Sequence, residues 1–214
     1  MPKFAEIWRQ RLVKQLPRDG ASVAYARVTL QAGGVRILCM DDRVPHRELG
    51  PEYAAVNDVV TRLTTAGHHV TLASMEQPLQ ENEHSDIAWD IELADVMTAG
   101  HYVFRELLPA CDVVWIRGRQ NMQNFLRRMW NMYEKIPPIV YEAGSVSAEE
   151  ESASALAEDV ALCEAADVIL VPSEGERELL SDKNVGDVHV VAVDDIGKVL
   201  VEVGTSVTEP SFNR

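Results

Sequence analysis

Cysteine is scarce in this chain, and positive charge is outweighed by negative. Cys39, Cys111 and Cys163 are the only three cysteines in 214 residues, and none forms a C-x-x-C pair. So sparse and odd a set excludes a disulfide framework and a thiolate zinc site. Each thiol lies in or beside an apolar segment, where a buried free cysteine is the expected state. Long apolar runs are also missing. None approaches the roughly 20 residues that a bilayer-spanning helix requires. The first residues interleave Lys3, Arg9, Arg11 and Lys14 with Phe4, Ile7, Trp8 and Leu12, and have no continuous apolar core. They therefore do not read as a signal peptide. A cytoplasmic location is expected, with a peripheral contact at the inner face of the membrane as the second reading of that basic segment. Twenty Lys and Arg face 34 Asp and Glu, for a formal charge of −14. Such a charge repels polyanions, so nucleic acid is not an expected partner.

Several motifs are absent as well. There is no G-x-G-x-x-G fingerprint for a dinucleotide, no P-loop, no G-x-S-x-G elbow and no D-x-D. The histidines are not paired at metal-ligand spacing on a helix, so no metal site is expected.

What is present is an alternation of apolar strands and amphipathic helices. Residues 3–16 read as a basic amphipathic helix that packs on the domain or on a partner, within an extension covering 1–34. The main fold is expected over 35–203. VRILCMDD is a strand running into acids. Residues 51–66 place Tyr53, Val56, Val59, Val60 and Leu63 on one helical face, and Gly67 stops that helix. HHVTLASM is the second strand, which completes one β-α-β unit. Strands follow at DIELA (90–94), DVVWIRG (112–118), PIVYEA, DVILVPS and VHVVAV. Helices are expected at 101–110, 120–134, about 148–165 and 173–181. Strands that are apolar throughout and alternate with helices predict an open, mostly parallel Rossmann-like sheet with helices on both faces. Residues 204–214 read as a polar tail.

In such sheets ligands bind at the carboxyl ends of the strands, which directs attention to four loops. DDRVPHRELG crowds Asp42, Arg43 and His46 before Gly50, where a ligand could approach the backbone at a helix start. RGRQNM offers Arg117 and Arg119, planar forks suited to phosphate or carboxylate, and Asn121, suited to a sugar hydroxyl. Asn121 serves equally well as a helix cap. YEAGSVS carries Glu142 just past a strand, where a carboxylate could orient a hydroxyl or act as a base. VPSEGE carries Ser173 and Glu174, and Ser173 with Glu176 reads first as a capping box.

These pieces, taken in order, resemble a known family. DDRVPHRELG, AGHHVTL, CDVVWIRGRQNM, PPIVYEAGS and EAADVILVPSEGERELL are similar to the N-terminal domain of group 1 (family 4-like, retaining) GT-B glycosyltransferases across residues 35–193. In that family two Rossmann-like domains face each other across a cleft. The N-terminal domain mainly holds the acceptor, and the C-terminal domain mainly holds the nucleotide-sugar. The resemblance implies acceptor-side residues at Arg43, Gly50, Asn57, Arg117, Asn121, Glu142, Ser173 and Glu174. It implies a glycan or lipid-linked acceptor, a nucleotide-sugar donor for the complete enzyme, and a C-terminal donor domain as the partner of this one. The alternative reading is a Rossmann-like binding or interaction module with no catalytic role. A phosphoacceptor receiver domain fits less well, because no Lys follows the fifth strand. A flavodoxin-like FMN binder also fits less well, because no Ser/Thr-rich loop follows the first.

Overall fold

The computed structural model describes residues 34–76, 86–88, 91–129, 136–144, 153–182, 185, 187–192 and 195–206. The segment expected to form a basic helix at 3–16 lies outside them. The described residues form an α/β domain with a seven-stranded parallel sheet and six α-helices. The strands are β1 (Arg36–Asp41), β2 (His69–Ser74), β3 (Glu92–Asp95), β4 (Val113–Arg117), β5 (Ile139–Glu142), β6 (Val168–Val171) and β7 (Asp187–Val190). The helices are α1 (Pro51–Thr65), α2 (Val96–Tyr102), α3 (Arg119–Met129), α4 (Ala153–Glu164), α5 (Glu174–Ser181) and α6 (Ile196–Ser206). The strand order is β3-β2-β1-β4-β5-β6-β7, every neighbouring pair parallel.

The period of two along each strand divides the core between the two faces. Leu38, Met40, Val114 and Ile116 join Met122, Phe125 and Met129 of α3 on one face. Ile37, Cys39, Val113 and Trp115 join Val56, Val59, Val60 and Leu63 of α1, with Ile196 and Leu200 of α6, on the other. Sheet growth reverses after β3, and β4 is laid down beside β1. Thus α1 and α3 leave the neighbouring strands β1 and β4 for opposite faces. The carboxyl ends of β1 and β4 are therefore the topological switch point of the fold, the place where open α/β sheets bind their ligands.

Two helices differ from the periodicity reading. The helix expected over 101–110 is longer and begins earlier. Asp95 caps α2 by accepting from the N–H groups of Met97 and Thr98, and a π turn over Val103–Leu107 and a 3-10 turn over Leu108–Ala110 continue it. Residues 204–206, expected to begin a polar tail, are helical, because α6 runs through Ser206 and buries Gly204. A Cβ on Gly204 would stand 2.3 Å from Cγ1 of Val35, so only glycine lets α6 close on the start of β1. Among the described residues no helix is long and apolar enough to cross a membrane.

Candidate functional site

The last residues of the three central strands are polar and continue the face that carries α1. Ile37, Cys39 and Asp41 alternate along β1, Val113, Trp115 and Arg117 along β4, and Val140 and Glu142 along β5. Parallel register sets Arg117 beside Glu142 and brings Asp41 in line with the end of β4. The apolar strands thus deliver two carboxylates and one guanidinium to one spot at the switch point.

Arg117 is the hub. Only 5% of it is exposed. Its Nη1 donates to Asp41 Oδ2, and its Nε donates to Glu142 Oε2 at 3.0 Å. Its Nη2 reaches Glu52 Oε1 on α1 at 3.4 Å and Glu142 Oε1 at 3.5 Å. The indole Nε1 of Trp115 also donates to Glu142 Oε2, at 3.1 Å, and the guanidinium lies 5.9 Å from the Trp115 ring centroid. A buried charge is tolerated when it is paired and its hydrogen bonds are met, and this network does both. Glu142 is consequently held by Oε2, while Oε1 keeps only the one long contact.

Further contacts continue past the end of β1. The Asp42 N–H donates to Asp41 Oδ1 at 2.9 Å. The Asp42 carboxylate accepts from the Tyr53 hydroxyl at 3.0 Å and from Arg43 Nε at 3.1 Å. Arg43 also lies 5.9 Å from the centroid of the Tyr53 ring. Burial pushes the Asp41 carboxyl up to about 7, against the pull of Arg117. Burial acts in the same direction on Asp42, but hydrogen bonds from Asp41, Arg43 and Tyr53 outweigh it and hold Asp42 below the usual carboxylate range. Burial, followed by the bond to Asp42, raises the Tyr53 hydroxyl to about 12. For Arg117, burial disfavours the charge. The Asp41 and Glu142 carboxylates outweigh it and keep the guanidinium protonated far above the ordinary range.

Glycines border this cluster. Gly50 precedes α1 at φ 124° and ψ 176°, and Gly144 follows β5 at φ 70°. A Cβ at either would meet open space, so backbone conformation rather than crowding calls for glycine there. Gly118, at φ 80°, turns the chain from β4 into α3.

Of the expected residues, Asp42, Arg43, Gly50, Arg117 and Glu142 meet at the switch point. Arg117 is not a free fork for an anion, since its charge is committed to Asp41 and Glu142. Asn121 lies against the end of β4, where its Nδ2 donates to the Arg117 carbonyl at 2.7 Å. It is 4% exposed, and its Oδ1 has no hydrogen-bond partner. Arg119 turns away to α4, pairing with Glu158 at 2.5 Å and Asp159 at 3.1 Å. Asn57 is buried on α1, where it donates to Asp86 Oδ2 at 3.4 Å and accepts from Thr61. It therefore ties the loop at Asp86 to the helix. His46 caps the 3-10 turn Arg47–Leu49 without a side-chain cap bond. Ser173 and Glu176 close the capping box on each other, Oγ to Oε2 at 2.7 Å, and Glu174 pairs with Arg177.

The sequence reading places Asp41 at a strand end, as the first residue of DDRVPHRELG, without singling it out within that loop, and does not select Glu52, Tyr53 or Trp115 as site residues. The available signal was positional. Asp41 is the last residue of an apolar strand beside the switch point, and a buried Trp two residues before Arg117 shares its face. Among the described residues no group of three His, Cys, Asp or Glu is placed to hold a metal ion. No protein-family model matches the chain, and comparison with curated proteins finds no match.

Proposed function

We propose that this domain is the acceptor-binding half of a retaining GT-B-type glycosyltransferase and seats the acceptor hydroxyl beside Glu142. The observation that carries this reading is the placement of Glu142 at the switch point. Arg117 and Trp115 grip one carboxylate oxygen, and the other has little internal satisfaction. A carboxylate fixed in this way can accept a hydrogen bond from a sugar hydroxyl and aim its oxygen lone pair. In the transfer, that oxygen would bond to the anomeric carbon of a nucleotide-sugar, its proton passing to the Glu142 carboxylate, as the nucleoside diphosphate departs with the electron pair of its own bond. The nucleotide-sugar would be held by a second α/β domain, so the domain described here orients the nucleophile and does not complete the reaction alone. Gly144, two residues past Glu142, has no atom within 4 Å of where a Cβ would stand, which leaves room for a ligand beside the carboxylate.

The ordered motifs from DDRVPHRELG to EAADVILVPSEGERELL support the same reading. Calorimetry with a panel of glycan acceptors and with nucleotide-sugars tests it. Acceptor binding that Glu142→Gln weakens, without donor binding, is the expected result. Binding of neither class of ligand would favour the non-catalytic module instead.

A further inference from the structure

The two edges of the sheet differ. β3, at one edge, has no exposed residue. β7, the outer strand at the other edge among the described residues, exposes Asp187, His189 and Val190. An open edge offers unpaired N–H and C=O groups to another strand, and proteins blunt it with proline, lysine or a bulge. The four residues of β7 include no proline or lysine, and their register with β6 is unbroken.

One bond fixes which backbone groups face outward. The Val191 N–H donates to the Val171 carbonyl at the end of β6. Successive residues of a strand turn their polar groups to opposite sides. Asp187 and His189 therefore bond toward β6, while Val188 and Val190 offer their N–H and C=O groups to the open side. The side chains also divide. Asp187 and His189 share one face, with His189 Nε2 3.0 Å from Asp187 Oδ1. That face is not covered there: both residues border a cavity of about 480 Å³ beside Val199 and Val203 of α6. Val188 packs against the core on the other face.

We propose that β7 is a self-association edge, on which two copies of this domain pair β7 with β7, antiparallel, about a two-fold axis at Val188. A two-fold contact must be self-complementary, and three registers centre on residues of this strand that face the edge or alternate with them. An axis at His189 would set imidazole against imidazole and carry Asp187 past the end of the second copy's strand. An axis at Val190 would do the same to Val188 and His189. An axis at Val188 lets the two Val188 residues exchange both hydrogen bonds. It also sets each Asp187 opposite the second copy's His189, in the non-hydrogen-bonded pairs where side chains approach most closely. Two carboxylates that accept and two imidazoles that donate then alternate around the axis. The exposed Val190 lies diagonally across from the second copy's Val188, within reach for packing. The net charge of −14 opposes self-association through most of the surface, but at this edge each acid meets a histidine. The pairing is strand addition with the chain as its own partner, and so short an edge makes a weak dimer that dilution separates.

Light scattering on the whole chain over a wide concentration range tests this. The mass should rise from one copy toward two on concentration. His189→Asp sets acid against Asp187 twice in each dimer and should weaken it by about tenfold or more. Combining Asp187→His with His189→Asp exchanges the two positions and should restore the dimer. Both side chains are exposed, so the variants keep the fold, which circular dichroism checks. A single-copy mass throughout, a dimer indifferent to His189→Asp, or a weakened dimer that the exchange fails to restore would each overturn the proposal.

Discussion

Replacing Arg117 by methionine removes one charge from the switch point and keeps most of the side-chain length. The variant leaves Asp41 and Glu142 without their shared counter-ion. Glu142 is partly exposed and can recruit water, whereas Asp41 is 6% exposed and cannot. Breaking a buried pair from one side typically costs about 3–5 kcal/mol, but a carboxyl has an escape, which is to take up a proton. In the wild-type protein burial already lifts Asp41 from 3.8 to about 7. A raised carboxyl favours the folded state at low pH, and that contribution is lost as pH rises through the folded value. For the wild type the loss is complete just above pH 7, where the Arg117-paired carboxylate ionises in the folded protein. In Arg117→Met the carboxyl stays protonated to higher pH, so the loss continues. The stability gap between variant and wild type should therefore be flat below pH 6.5. Above pH 7 it should widen by about 1.4 kcal/mol per pH unit, the free energy equivalent of one pKa unit. Urea melts of both proteins at pH 6, 7, 8 and 9 measure this gap directly. Adding Asp41→Asn to the variant should abolish the widening. A gap that stays constant from pH 6 to 9 would refute the claim that Asp41 is the group Arg117 neutralises.

Other outcomes follow from single contacts. Gly50→Ala should lower stability by about 1–3 kcal/mol through backbone strain alone, since φ 124° and ψ 176° suit only glycine and the side-chain space is open; thermal melting reads this. Ser173→Ala should cost about 1 kcal/mol by uncapping α5, while leaving acceptor binding in calorimetry unchanged, which separates a capping residue from a binding one. Gly204→Ala should destabilise by about 1–3 kcal/mol, because the new methyl collides with Val35. Loss of less than a few tenths in denaturant melts would show that α6 can shift away freely.

The alternation of strands and helices was readable because each strand is apolar on both faces and most helices bury a single stripe. β1, β2 and β4 fall within a residue or two of their expected positions for that reason. α6 escaped detection because Val199, Leu200, Val201 and Val203 crowd together and blur the helical period. Only Ile196, Leu200 and Gly204, four apart, are buried. α2 was placed too late because its start depends on Asp95, whose capping role is a matter of side-chain geometry. The site was legible as a set of loops and not as a network. Arg117 and Glu142 could be named from their strand-end positions, but their pairing depends on β4 and β5 being neighbours. Asp41 joins them only because β4 inserts beside β1, 76 residues further along the chain. Arg119 looked equivalent to Arg117 in RGRQNM. The positive-φ turn at Gly118 sends it to the other side, against Glu158 and Asp159.

The contact of Gly204 with Val35 has a mechanical corollary. It brings the first and last described parts of the layer side by side, at the amino-terminal edge of the sheet. A pull applied between residues 35 and 204 would act across that contact and peel α6 from the sheet before loading the central strands in shear. Arg117, Asp41 and Glu142 lie at the opposite edge, outside the line of force. Tethering at residue 35 or 204 should thus leave the Arg117 network undistorted, whereas a tether through α1 or α3 would pull directly on the elements beside it.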